Sequence, residues 1–150
     1  MIEPLRLSFE VACSQRHAFE VWTRRIDLWW PADHTATGEE GLRITLEPRI
    51  GGRIFQRDPA GVEIDWGEVT EFGPPEVLGY RWHLRRDKAD ATDVRIRFVP
   101  MDPARTRVDI EHQGWERLGA DGPVWRDRNH QGWTTLLPHY LRAVAATTNA

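Results

Sequence analysis

The sequence predicts an α+β fold in which about six or seven antiparallel strands curve around one long C-terminal helix, with two short helices after the first strand. Three observations predict it. Apolar residues alternate with polar ones in run after run between residues 5 and 113, the signature of half-buried strands. Only turn-length links separate these runs, which argues for an antiparallel sheet. The apolar period changes to about 3.6 near the C-terminus, where Trp133, Leu136, Leu137, Tyr140, Leu141 and Val144 make one helical stripe. One long helix can then cover the concave face of the sheet.

The first strand is LRLSFEVAC, 5–13, with Leu5, Leu7, Phe9, Val11 and Cys13 on one face. Ser14 reads as a helix N-cap, and Ala18, Phe19, Trp22 and Ile26 as the apolar side of a short helix. Asp27 is placed to cap a second short turn, Leu28-Trp29-Trp30, which Pro31 closes. Residues 32–41 are polar and contain glycine, and read as a loop. Leu42, Ile44 and Leu46 alternate up to Pro48. Gly51-Gly52 then turns the chain into 53–56, a hairpin. Asp58-Pro59-Ala60-Gly61 is a turn. A longer strand follows over 62–72, where Gly67 marks a bulge or a close approach of backbone. Pro74-Pro75 ends it. The next strand, 77–85, carries Leu78, Tyr80, Trp82 and Leu84 on one face.

The pair 92–99 and 106–113 is the clearest. Aligning the apolar faces sets Phe98 opposite Val108, Ile96 opposite Ile110 and Val94 opposite His112. The polar faces then agree, with Arg97 opposite Asp109 and Arg95 opposite Glu111, and cross-strand ion pairs are expected there. After a loop over 114–123 the long helix runs through Pro138, with a kink expected because proline cannot donate to the carbonyl of Thr134.

Composition limits function. The 150 residues suit a single domain over 1–150. One cysteine, Cys13, leaves no internal disulfide and no multi-cysteine zinc site. No apolar run reaches the ~18 residues of a membrane span, and the start lacks the layout of a signal peptide, so the expected location is cytoplasmic. A net charge of -3 without a basic stripe predicts no nucleic-acid binding. All the basic residues but Lys88 are arginine, a bias without a cluster. The eight tryptophans, five phenylalanines and two tyrosines call for an aromatic core, an aromatic pocket, or both.

Several segments occur in an order that resembles a known family: AFEVWTRRIDLWWP (18–31), GGRIFQ (51–56), WGEV (66–69), 77–82, EHQGWERLG (111–119) and GWTTLLPHYL (132–141). Together they are similar to the family related to the C-terminal domain of activators of the 90-kDa heat-shock-protein ATPase. That family lies within the START-related, pollen-allergen-like SRPBCC superfamily. The resemblance implies a helix-grip fold with a cavity between sheet and C-terminal helix. Gln56 departs from it, since related sequences often carry Glu after the double glycine, and Pro138 is not standard there.

The expected function is non-catalytic binding of a small apolar or aromatic molecule in that cavity. Two alternatives stay open: a protein-interaction module that stimulates a chaperone ATPase, and a cavity enzyme of hydrolase or cyclase type. A small apolar molecule is the expected partner, with a homodimer or a chaperone contact also open. The candidate ligand-binding residues are Trp66, Tyr80, Trp82, Phe98, His112, Trp133 and Leu137. His112 sits on an apolar strand face, so it reads either as a polar group orienting a ligand or acting as acid/base, or as a core histidine bonded internally. For the cyclase alternative, Glu68 is the second titratable group, if it shares the inner face with Trp66 and Thr70. Trp29 and Trp30 cannot both point inward from one turn, so one is expected at the cavity mouth and the other on the helix packing. Asp33 and His34 have no further ligand at metal-binding spacing, and no nucleophile motif or phosphate loop is present. No cofactor, metal or catalytic residue is assigned.

Overall fold

The computed structural model describes residues 2–147. Seven strands form one antiparallel sheet: β1 (Leu5–Val11), β2 (Arg43–Leu46), β3 (Arg53–Arg57), β4 (Glu63–Gly73), β5 (Val77–Trp82), β6 (Thr92–Asp102) and β7 (Arg105–Gln113). Their spatial order is β1-β7-β6-β5-β4-β3-β2. Helix α1 (Gln15–Thr23) follows β1, and α2 (Gly122–Ala146) closes the chain. The sheet curls around α2, which is the helix-grip arrangement. Among the described residues no helix is long and apolar enough to cross a membrane.

The local chemistry expected at α1 is present. The Ser14 side chain accepts from the backbone N–H of His17 at 3.2 Å, satisfying one orphan donor of the first turn. Asp27 does something else. Its carboxylate accepts from the Ile44 N–H at 2.7 Å and pairs with Arg43 at 2.8 Å, so it pins β2 to the short 3-10 turn Ile26–Leu28 instead of capping a later one. The segments read as loops at 32–41 and 114–123 each contain a 3-10 turn, Ala32–His34 and Trp115–Asp121. Helix α2 continues through Pro138.

The β6–β7 register pairs Val94 with His112, Ile96 with Ile110, Phe98 with Val108, Arg95 with Glu111 and Arg97 with Asp109, as expected. The ion pairs, however, form with other strands. Arg95 reaches across β5 to Glu71 on β4, at 2.8 and 3.1 Å. It passes over Gly79, the residue between them in the register, where a Cβ would lie 3.0 Å from that of Glu71. Glu111 instead takes Arg6 of β1 at 3.1 Å.

Strand β4 carries the bend. The β3–β4 register steps from Ile54↔Gly67 to Phe55↔Asp65 and leaves Trp66 as the extra residue of a bulge. At Gly67 the backbone of β5 comes so close that a Cβ would overlap the carbonyl oxygen of Arg81, so only glycine fits. The bulge turns Trp66 inward and sets Glu68 opposite Arg81 and Arg53, on the outer face. Glu68 is therefore not the partner of His112 that inner-face sharing with Trp66 required; the bulge changes the parity of the strand.

Trp22 of α1, fully buried, occupies the centre of the grip. Its ring centroid lies 4.8 Å from Tyr140, 5.1 Å from Trp29, 6.1 Å from Trp133 and 6.4 Å from Phe98. Two of these contacts, with Tyr140 and Phe98, are edge-to-face, which adds to the burial of large rings. The interior between α1, α2 and the middle of the sheet is thus filled by aromatic side chains, and open space is left at one end.

Candidate functional site

That space is a groove of about 350 Å³ between the end of β5, the turn at Trp30–His34 and the first half of α2. Its walls are indole rings. Trp82 comes from β5, Trp30 from the turn, and Trp125 and Trp133 from α2. Trp30 and Trp82 lie 5.7 Å apart by ring centroids. Leu84 and Leu136 add apolar surface, and Arg85, Arg128, Asn129, Asp33, His34 and Thr135 bring polar groups. An apolar pocket with a few convergent polar groups is the usual form of a small-molecule site.

Each wall is held from behind. Trp66 is fully buried behind Trp30 and Trp82, at 5.3 and 5.9 Å. Its indole N–H donates to Oε1 of Gln56 at 3.1 Å, and the same oxygen accepts from the Ala36 N–H at 2.8 Å. The Gln56 amide donates in turn to Thr37. A neutral amide in this position serves an acceptor and a donor role at once, which a carboxylate does not. The turn itself is tied down by the Trp30 indole N–H to the carbonyl of His34 at 2.9 Å. The Arg85 guanidinium donates to the carbonyls of Thr35 and Asp33 at 2.8 and 3.1 Å. Arg85 reaches them from a left-handed backbone, φ 63°, a cost that a side chain other than glycine bears only where its surroundings demand it.

Two guanidinium groups lie over the Trp125 ring, Arg128 at 4.7 Å and Arg86 at 5.2 Å from its centroid, a cation–π arrangement. Arg86 is half-buried, and burial holds its guanidinium down to about 10. It also donates to the carbonyl of Trp82 at 2.9 Å and to Thr92 Oγ1 at 3.1 Å.

His112 lies behind the groove wall, fully buried. Its Nδ1 accepts from the Trp133 indole N–H at 3.2 Å, and its Nε2 is 2.7 Å from Thr92 Oγ1. An indole N–H only donates, so the ring proton sits on Nε2 and is donated to Thr92, whose own hydroxyl donates to the carbonyl of Trp82 at 3.2 Å. Trp115 packs against the ring at 4.3 Å, tilted by 43°. Burial, with the nearby Arg86 charge, pushes the imidazole well below its usual range. It is neutral, and both nitrogens are engaged.

Of the residues singled out in the sequence, Trp82 and Trp133 line the groove. Trp66 and Tyr80 back Trp82, with Tyr80 at 5.4 Å and its hydroxyl pushed up by burial. Phe98 packs on Phe19 at 5.2 Å in the filled interior. Leu137 is half-buried, and its neighbour Leu136 reaches the groove instead. Of the adjacent pair, Trp29 is buried against Trp22 and Tyr140, and Trp30 faces the groove. Sequence reasoning missed Trp125, Asn129 and the Asp33–His34–Thr135 group. A signal for the first two exists: Trp125, Asn129, Gly132 and Leu136 fall on one helical face.

A curled sheet gripping a C-terminal helix, with an apolar groove at the helix's open end, defines a helix-grip protein of the SRPBCC type. The chain belongs to the family described as Activator of Hsp90 ATPase homolog 1-like protein, which matches residues 12–146. Among solved structures it is similar to the anthrahydroquino-γ-pyrone synthase Txn09, with 35% identity over 81% of this chain and 82% of that one, TM-score 0.60. It is also similar to CalC, a self-sacrificing resistance protein from Micromonospora echinospora, with 27% identity over 94% and 93% of the two chains, TM-score 0.72. An HSP90 activator from Plasmodium falciparum shares the fold at 18% identity, over 95% and 96%, TM-score 0.66. No curated protein sequence matches the chain.

Proposed function

We propose that the protein binds a flat aromatic small molecule in the groove between the end of β5 and α2. The convergence of Trp30, Trp82 and Trp133 on one open space carries this reading. Burying ~250 Å² of apolar ligand surface supplies roughly 6 kcal/mol, and micromolar affinity needs about 8 kcal/mol. One hydrogen bond to a groove residue makes up much of the difference, less the ordering cost. The likeness to Txn09, an anthrahydroquino-γ-pyrone synthase, supports the ligand class.

The same likeness favours one second reading, a cyclase-type reaction chamber in this groove. Stimulation of a chaperone ATPase, which the family description suggests, rests on an exposed apolar patch. Leu28, Ile50, Val62 and Val124 are each more than half exposed, but they lie in separate segments: the 3-10 turn Ile26–Leu28, the β2–β3 and β3–β4 links, and α2.

Titration with anthraquinone, followed by tryptophan quenching, tests the binding reading. Saturable quenching in the micromolar range is expected, weakened about tenfold or more by Trp30→Ala, a loss of one stacking wall worth about 1.4 kcal/mol. Trp30 is half-buried, and a cooperative urea transition checks that this variant keeps the fold. Absence of saturable quenching overturns the reading.

A further inference from the structure

Asp33, His34 and Thr135 form a hydrogen-bonded line along one wall of the groove. Asp33 Oδ1 is 2.8 Å from His34 Nδ1, and His34 Nε2 is 2.8 Å from Thr135 Oγ1. A carboxylate only accepts, so Nδ1 carries a proton. In the neutral ring, Nε2 then accepts the Thr135 hydroxyl hydrogen. In the protonated ring, Nε2–H donates to Oγ1, and the hydroxyl turns its hydrogen to the carbonyl of Gln131 or Gly132, at 3.2 and 3.1 Å. Both protonation states are satisfied without moving a heavy atom. His34 is 19% exposed in its side chain and lines the groove with Thr135. This differs from His112, whose ring is sealed. Other bonds already hold the turn, through Trp30 and Arg85, so the line is not needed as a tether. Among the described residues no third His, Cys, Asp or Glu joins the pair as a metal site.

The charges around His34 favour an anion in the groove. Asp33 is engaged by the imidazole, which holds its carboxyl below the usual range. Arg85 from the end of β5 and Arg128 from α2 are the cations on the lining, and His139 of α2 also acts on Asp33.

We propose that Asp33, His34 and Thr135 act as the proton acceptor for a phenolic or enolic hydroxyl of the groove's aromatic ligand. The inference rests on the groove being a ligand site and adds the ligand's functional group and its chemistry. The ligand O–H bond breaks, and its proton passes to Thr135 Oγ1 as the Thr135 proton passes to His34 Nε2. The electron pair stays on the ligand oxygen. The Asp33 carboxylate balances the imidazolium, and Arg85 and Arg128 are cations on the same groove lining as the new oxyanion.

Two probes separate this inference from the one beneath it. Anthraquinone has no hydroxyl and reports only on the groove. 2-Hydroxyanthraquinone has one, and its phenolate absorbs at longer wavelength than its phenol. With protein at saturation, the bound hydroxyl is expected to titrate about one to two pH units below the free probe. His34→Gln and Asp33→Asn, the second at an exposed position, are expected to remove most of that shift. A bound hydroxyl that titrates like the free one, or a shift that survives both substitutions, overturns the inference while leaving the groove intact. Variants that bind neither quinone also overturn it, since the line is then a strut. Failure of the unaltered protein to bind anthraquinone overturns the groove reading, and this inference falls with it.

Discussion

The indole N–H of Trp133, on α2, donates to Nδ1 of His112, on β7, at 3.2 Å. This bond fixes the tautomer of a sealed imidazole and ties the helix to the sheet directly behind the groove. It also makes stability depend on pH. Burial lowers the folded-state pKa of His112 below its unfolded value of about 6.5. Below about pH 6.5 the unfolded chain therefore binds the extra proton, and stability that is complete above that value is lost as pH falls. His83, also lowered by burial, adds to the same sign. Urea unfolding free energy is expected to fall from pH 7 to pH 5 by up to about 1.4 kcal/mol per pH unit for each group. His112→Gln is expected to have a shallower pH slope, whatever its stability at pH 7. Parallel slopes for the two proteins contradict the buried, neutral assignment.

Trp22 is the interior's central ring. Trp22→Ala is expected to cost about 3–5 kcal/mol, read as a lower urea midpoint. A loss under about 1 kcal/mol contradicts a filled interior, because it implies space that was already empty.

Two glycines give opposite expectations. A Cβ at Gly67 overlaps the Arg81 carbonyl oxygen, so Gly67→Ala forces β4 and β5 apart and costs about 1–3 kcal/mol. Gly132 lies within α2 with nothing near its Cβ position, so Gly132→Ala is expected to gain about 0.5–1 kcal/mol. Thermal melts of the pair check both signs.

Cys13 is buried, which pushes its thiol up to about 11. Thiolate is scarce at neutral pH, so iodoacetamide labelling is expected to proceed only as fast as the protein opens. Rapid labelling under native conditions contradicts this burial.

These residues also mark where the sequence was legible. The β6–β7 register followed from sequence because two faces imposed it independently: Val94, Ile96 and Phe98 on one side, Arg95 and Arg97 on the other. The reach of Arg95 across β5 to Glu71 did not follow, because it depends on Gly79 of the strand between them. Glu68 was misplaced because a bulge reverses parity, and Gly67 signals a bulge without fixing which residue is extra. Trp82 and Trp133 were found through periodicity. Asp33, His34 and Thr135 were not, because their meeting joins a polar turn to a helix a hundred residues later, and no local pattern records a contact of that range. Nor did the short amphipathic pattern around Trp22 tell how deeply its ring enters the grip.

Aromatic-ligand binding in the groove is tested most directly by reading all eight indole N–H signals at once, in a ¹H–¹⁵N spectrum titrated with anthraquinone. Trp30, Trp82, Trp125 and Trp133 line the groove, whereas Trp22, Trp29 and Trp115 are buried and outside its lining. Saturable shifts concentrated in the first four are expected. Shifts centred on Trp22 and Trp29, or no saturable shift at any indole, contradict binding in the groove.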